Sequence, residues 1–279
     1  MAQAQALARE GNRVLLAEMG QGDYLARLLG WERIPYEPRH SPFQPNLHIC
    51  AWTGDACLKE YLLMKLKLTS LYKAIFENRF AKAFLDVAPG LWELAVLGKF
   101  TSGIRGVAAD LPYDYIILDA YSTGQATNLL RVPLAMTEFV RGGAMYDQSQ
   151  AIHRALTDRS HCRFLIVTLP EVTPLRETKD FIESLQSVEI TQPYLAVNRL
   201  FQPPGTDQDL KVAAREWTDE KRAAVEYLQQ VMEFQRRALN TNSVTLAEST
   251  RHLPELFCLQ PDLLARQLSH YLMGWVKWT

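Results

Sequence analysis

The chain has 279 residues, 48% hydrophobic and 22% charged, the balance of a globular protein with room for one large α/β domain or two smaller ones. A net charge of −1 gives no global field to draw it to nucleic acid or to an anionic membrane, and its apolar stretches fall short of a membrane span. The cysteines Cys50, Cys57, Cys162 and Cys258 are scattered and form no C-x-x-C, which argues against a disulfide framework or a thiolate zinc site and fits a reducing cytoplasm.

Residues 2–10 are strong helix formers stopped by Gly11. Met1 to Arg9 lacks the apolar core of a signal peptide. Arg13 to Glu18 reads as a buried strand, so the chain opens on a helix with no strand before it, whereas α/β domains usually begin with a strand. Met19 to Asp23 is a loop, and Asp23 is expected to cap a short helix, Tyr24 to Leu29, ending at Gly30. Pro35, Pro38, Pro42 and Pro45 make an irregular connection into a short strand, Asn46 to Trp52.

From 53 to 106 the pattern turns helical: Leu58, Tyr61, Leu62, Leu66, Leu71, Ile75, Phe76, Phe80 and Phe84, a break at Pro89-Gly90, then a short helix from Leu91 to Leu97. This predicts a helical subdomain inserted within a single α/β domain spanning 1–279. Between Lys59 and Lys82 stand six basic residues and two acidic ones. Such a face is ordinarily a solvated one, with a partner or membrane surface as the minor alternative.

Tyr115 to Leu118 is an apolar run without alternation, as in a strand buried on both faces of a parallel sheet. It ends in a carboxylate, Asp119. Ligands of open α/β sheets bind beyond the carboxyl ends of such strands, and a carboxylate there suits a magnesium ion, held directly or through water. The plain alternative is an Asp that caps the next turn. Val132-Pro133 is expected to end the following segment. Further on come a helix from Tyr146 to Thr157, a strand from Arg163 to Leu169, and a helix capped by Thr173 and begun by Pro174. Tyr194 to Val197 is a strand ending at Asn198. Pro203-Pro204-Gly205 opens a polar loop, and Thr218 caps a long helix with Val225, Leu228, Met232 and Leu239 as its apolar stripe. Ser243 to Leu246 reads as a last strand. Pro261 begins a terminal helix with Leu264, Leu268 and Tyr271 facing in. This alternation implies a mostly parallel sheet covered by helices on both faces. No G-x-S-x-G, H-E-x-x-H or G-x-G-x-x-G follows a strand, and the six histidines do not cluster.

Four segments in order carry a family resemblance: VLLAEMGQGDYLARLLG (14–30), YDYIILDAYSTGQATNLLRVP (113–133), FLIVTLPEVTPLRETKDFIESL (164–185) and AVNRL (196–200). The chain resembles the anion-transporting ATPases, the group holding the arsenite-pump ATPase and the ATPase that targets tail-anchored membrane proteins. ParA-like partition ATPases share the deviant phosphate-loop architecture, but P-E-x-x-P-x-R-E-T (170–178) favours the first family.

The resemblance implies a phosphate-loop NTPase fold, ATP or ADP with magnesium, and no zinc. It implies a dimer, of like chains or with a related ATPase subunit, a membrane-protein client, and a cytoplasmic place that extends to the periphery of a membrane. Residue by residue, it implies that Asp119 binds magnesium through water. Thr123 and Gly124, with Gln125 where the family has His, form the second switch that senses the terminal phosphate. Asn198 contacts the base, and Glu171 lies in a turn on the nucleotide side. Gly20 stands where the family's first switch carries the Asp that orients water, and Ser122 replaces a switch Pro. The family's glycine-rich phosphate loop is expected just before residue 2. Two explanations stay open. A longer native chain would add about 15 to 20 residues, a strand and that loop. Alternatively, the chain is a degenerate, non-catalytic subunit that pairs with a competent ATPase or binds an apolar client segment through 53–106 and 134–150. Either way weak or no hydrolysis is expected.

Overall fold

The computed structural model describes residues 1–66, 90–107, 111–202, 218–241 and 249–276. These form two compact units, one of Met1–Cys162 with Leu259–Thr279 and one of Arg163–Cys258. The expected fold class is found: parallel strands in sheets flanked by helices. Where the sequence pattern suggested one sheet, backbone pairing runs in two ladders, β2-β3-β1-β4 in the first unit and β5-β6-β7 in the second.

The first unit is organised on β1 (Val14–Met19). Val14, Leu15, Leu16 and Ala17 are fully buried, because β1 has a parallel neighbour on each side: β3 (Leu47–Trp52) and β4 (Tyr115–Asp119). Each Leu or Ile so buried contributes about 1.5–3 kcal/mol relative to exposure. A short β2 (Arg39–His40) joins β3 antiparallel; the prolines around it hid it from the sequence pattern. Helix α1 (Ala2–Arg9) buries Ala4, Ala6, Leu7 and Ala8 and packs on the terminal helix α9 (Pro261–Leu272). There Arg9 contacts His270 at 2.7 Å, and the Glu10 carboxylate accepts the Gly274 amide at 2.6 Å. The inward residues of α9 are Ala265, Ser269 and Leu272, whereas Tyr271, expected inside, is 43% exposed. Leu264 and Leu268, also expected inside, are half-buried, so the most buried line of the helix lies one residue further along than the one read off the large side chains.

Helix α2 spans Asp23–Leu29. Helices α3 (Gly54–Leu66) and α4 (Leu91–Phe100) pack together in the region expected to be a helical subdomain. The periodic residues Leu71 to Phe84 and most of the basic cluster lie outside the described residues. Helix α5 runs from Thr123 to Phe139, straight through Pro133, so the break expected at Val132-Pro133 is wrong. An internal proline costs a helix about 3 kcal/mol. Here Ala126, Leu129, Leu130 and Pro133 form one buried stripe at helical spacing, and packing against α4 and against α6 (Ala144–Thr157) outweighs the lost bond.

In the second unit, β5 (Leu165–Thr168), β6 (Tyr194–Leu200) and β7 (Ser249–Pro254) are all parallel. Helix α7 (Val172–Gln186) begins before the expected Thr173 cap, with Pro174 inside its first turn, where an amide would have no intrahelical acceptor to lose. Helix α8 (Asp219–Thr241) has the Thr218 cap anticipated from sequence: the Lys221 amide donates to Thr218 Oγ1 at 3.4 Å. The expected strand from Ser243 to Leu246 falls outside the described residues.

Candidate functional site

In the first unit β1 and β4 end together, with Glu18 in register with Asp119. Residues opposite each other on parallel neighbours share a face, so two carboxylates leave the same edge side by side. Their roles differ. Glu18 reaches over the turn to the start of α2, where its Oε1 accepts the Tyr24 amide at 3.1 Å and its Oε2 the Leu25 amide at 2.8 Å. The helix is therefore capped by Glu18; Gly22 holds the N-cap position, and Asp23, expected to cap, is instead the first helical residue. The carboxylate satisfies two donors that no helix can satisfy internally and sits on the positive end of the dipole.

Replacing Glu18 with Ala is expected to cost about 2 kcal/mol and to speed amide exchange at Tyr24 and Leu25 in particular. Unchanged exchange at those two amides would remove the capping role.

Asp119 is exposed at the tip of β4, and Ala120, Tyr121 and Ser122 continue as an exposed loop. Thr123, Gly124 and Gln125 are the first three residues of α5, with Ser122 as its N-cap in extended backbone. The Thr123 and Gly124 amides thus belong to a helix opening, the arrangement that favours anions. Gly20 leaves β1 at φ +109°, and no atom lies within 4 Å of where its Cβ would stand. Space is open there, but L residues rarely adopt that backbone. The Met1 amino group, pushed down by burial, feels the opposing pull of the Asp119 charge, so the N-terminal end of α1 also faces this edge. Gly20, Asp119, Thr123, Gly124 and Gln125 therefore all lie at the carboxyl edge of one sheet. Oxygen donors suit magnesium, which commonly takes one or two carboxylates and keeps water and phosphate for its other positions. The exposed Asp119 carboxylate fits such an ion in donor type.

In the second unit β5 pairs with β6 as far as Thr168 and Val197. Glu171 follows the end of β5, while β6 runs on to Leu200, so Asn198 lies within the strand, one residue beyond its pairing with β5, rather than at the strand end expected from sequence. Beyond Val197 the β6–β7 register shifts, and Arg199 has φ +60°. This non-glycine strain, of order 1–3 kcal/mol, is held from two sides. Gln235, 6% exposed on α8, accepts the Phe201 amide at 3.0 Å and donates to the Arg199 carbonyl at 3.1 Å. Glu255 takes the Arg199 Nε at 2.6 Å.

Sequence reasoning missed Glu18 as a cap and Gln235 as a clamp. A lone polar residue on the apolar stripe of α8 was the available signal for Gln235. Burial pushes the Cys50 and Cys57 thiols up to about 12, which disfavours the thiolate form.

Residues 142–249 match the family model described as anion-transporting ATPase. ATPase BagA of Mycobacterium tuberculosis is 29% identical over 216 residues, covering 76% of this chain and 63% of that protein. An ATPase ASNA1 homolog of Trypanosoma cruzi is 22% identical over 62% of this chain and 57% of its own length. The arsenical pump-driving ATPase of Escherichia coli is 24% identical over 47% of this chain and 25% of its own length. The chain thus spans less than two thirds of these relatives. With the four ordered motifs, these matches identify the chain as a relative of the anion-transporting ATPases.

Proposed function

We propose that the first unit is a nucleotide switch, binding ATP or ADP with magnesium at the carboxyl edge of β1 and β4. The observation that carries this reading is the in-register exit of Glu18 and Asp119 from adjacent parallel strands, with the capped Glu18 engaged and Asp119 exposed. Asp119 accepts a magnesium-bound water. The amides opening α5 at Thr123 and Gly124 take a terminal phosphate oxygen, and Gln125 is the neutral hydrogen-bonding group beside it. For the second unit the proposal is separate: Asn198 reads a base edge, and Glu171 stands at the neighbouring strand exit.

Hydrolysis by this chain is weak or absent. Gly20 offers no carboxylate to orient water, and Glu18 is occupied with two backbone amides. This favours the role of a nucleotide-sensing subunit that pairs with a like chain or a related ATPase and acts on a membrane-protein client.

Asp119→Asn is expected to weaken ATP binding about tenfold in magnesium and to leave binding in excess chelator unchanged, read by titration of a fluorescent ATP analogue. Equal affinity of wild type and variant in magnesium, or no saturable binding at millimolar nucleotide, would overturn the assignment.

A further inference from the structure

Between α3, α4 and α6 lies a cavity of about 190 Å³. Its walls are mostly apolar, among them Leu58, Tyr61, Leu94, Met145 and Ile152. Apolar cavities of about 150 Å³ already admit a benzene-sized guest. Three charged residues reach this space: Glu60, Lys99 and Arg105. Two of them satisfy each other, since Lys99 donates to the Glu60 carboxylate, which the Tyr36 hydroxyl also engages. Lys99 further lies 4.5 Å from the centre of the Tyr36 ring.

Arg105 is different. Its Nε donates to Thr101 Oγ1 at 2.9 Å, one terminal nitrogen to Gln148 Oε1 at 2.7 Å, and the other to the Gly98 carbonyl at 2.7 Å. All three acceptors are neutral, and no carboxylate pairs with Arg105 among the described residues. A guanidinium has five N–H donors, so each terminal nitrogen keeps one N–H. The side chain is half-buried, and a buried cation without an anion is costly. Desolvation pushes its pKa down in the same sense. The three neutral bonds also fix the fork in place, so no rotamer freedom is lost when a ligand arrives.

We propose that this cavity is a binding site for a small monocarboxylate with a compact apolar tail, the carboxylate on the free N–H groups of Arg105 and the tail among Leu58, Leu94, Met145 and Ile152. The site is independent of the nucleotide reading, since every group it uses lies on α3, α4, α6 or the turn after α4.

The test uses three eight-carbon probes that differ only at the head: octanoate, octanol and octylamine. Calorimetric titration of the whole chain is expected to show octanoate binding at least tenfold tighter than octanol, with octylamine weakest, and the Met145 methyl signal shifting on octanoate addition. Arg105→Met is expected to abolish the preference for octanoate over octanol. Ala95→Leu, which fills the cavity without altering Arg105, is expected to abolish binding of both. Octanol binding as well as octanoate, absence of octanoate binding, or an undiminished preference in Arg105→Met would each overturn the proposal. The wild-type comparison decides it even where a variant fails to fold.

Discussion

Substituting alanine at Gly22 is expected to destabilise the first unit by about 3 kcal/mol, lowering its thermal midpoint by roughly 6–12 °C. Two independent effects add. Gly22 holds φ +79° at the entrance to α2, a conformation L residues rarely take. A Cβ there would also stand 2.7 Å from Ile34 Cβ and 2.8 Å from Ala51 Cβ. Both partners are buried, at 5% exposure, and Cβ atoms are fixed to the backbone, so no rotamer change relieves the clash. Since β3 carries Ala51 and β1 feeds the turn, the strain falls on the edge that presents Glu18 and Gly20. Thermal unfolding followed by circular dichroism measures the effect; a shift under 2 °C would show that the turn relaxes freely and that the close packing is unimportant.

How much of this was legible in the sequence depended on which force set each element. The strands β1 and β6 were readable because burial on both faces demands unbroken apolar runs, as in Leu15-Leu16-Ala17 and Leu195-Ala196-Val197. β4 carries a similar run, Ile116-Ile117-Leu118, but it is the outer strand of its ladder among the described residues and only half-buried, so the burial on both faces expected of it is not found. Helix starts were readable where a local hydroxyl did the capping, as Thr218 does for α8. They were misread where the cap came from elsewhere. Glu18 caps α2 from six residues upstream, across a loop, and nothing in the local sequence marks that. Pro133 misled for a related reason: proline's cost is local and visible, while the stripe Ala126, Leu129, Leu130 and Pro133 that offsets it acts through tertiary contacts. The offset on α9 has the same root: Ala265 and Ser269, which do not stand out in an apolar pattern, are more buried than the neighbouring Leu264 and Leu268.

For the candidate site, the carboxyl edge of β1 and β4 followed from Asp119 ending an apolar run, and the register of Glu18 with Asp119 agrees with it. The resemblance supplied what spacing alone does not, namely the roles given to Thr123, Gly124 and Asn198. What neither supplied was the work done by the polar residues around those positions. Gln235 and Glu255 lie 36 and 56 residues from the Arg199 bulge they hold, and only folding brings them there.

Alanine at Gly54 tests the helical part of the first unit and is expected to cost 3 kcal/mol or more, by the order-of-magnitude cost of overpacking against backbone, about 1–3 kcal/mol for a yielding core and higher for a rigid one. A Cβ at position 54 would collide with Trp92 Cβ and lie 2.7 Å from Trp92 Cα and 2.9 Å from the Trp92 carbonyl oxygen. No side-chain rotation removes backbone atoms, so α3 must move away from α4. That displacement acts on the walls of the cavity, because Cys57, Leu58 and Tyr61 come from α3 and Leu91, Leu94 and Ala95 from α4. Two readouts therefore move together: the thermal midpoint falls, and the Cys57 thiol, 2% exposed in the native packing, becomes reactive toward a thiol reagent under native conditions. Cys50, fully buried on β3, stays protected and serves as the internal control. Loss of stability with both thiols exposed equally would mean general unfolding. An unchanged midpoint with Cys57 still protected would mean that α3 and α4 do not pack as closely as Gly54 and Trp92 indicate.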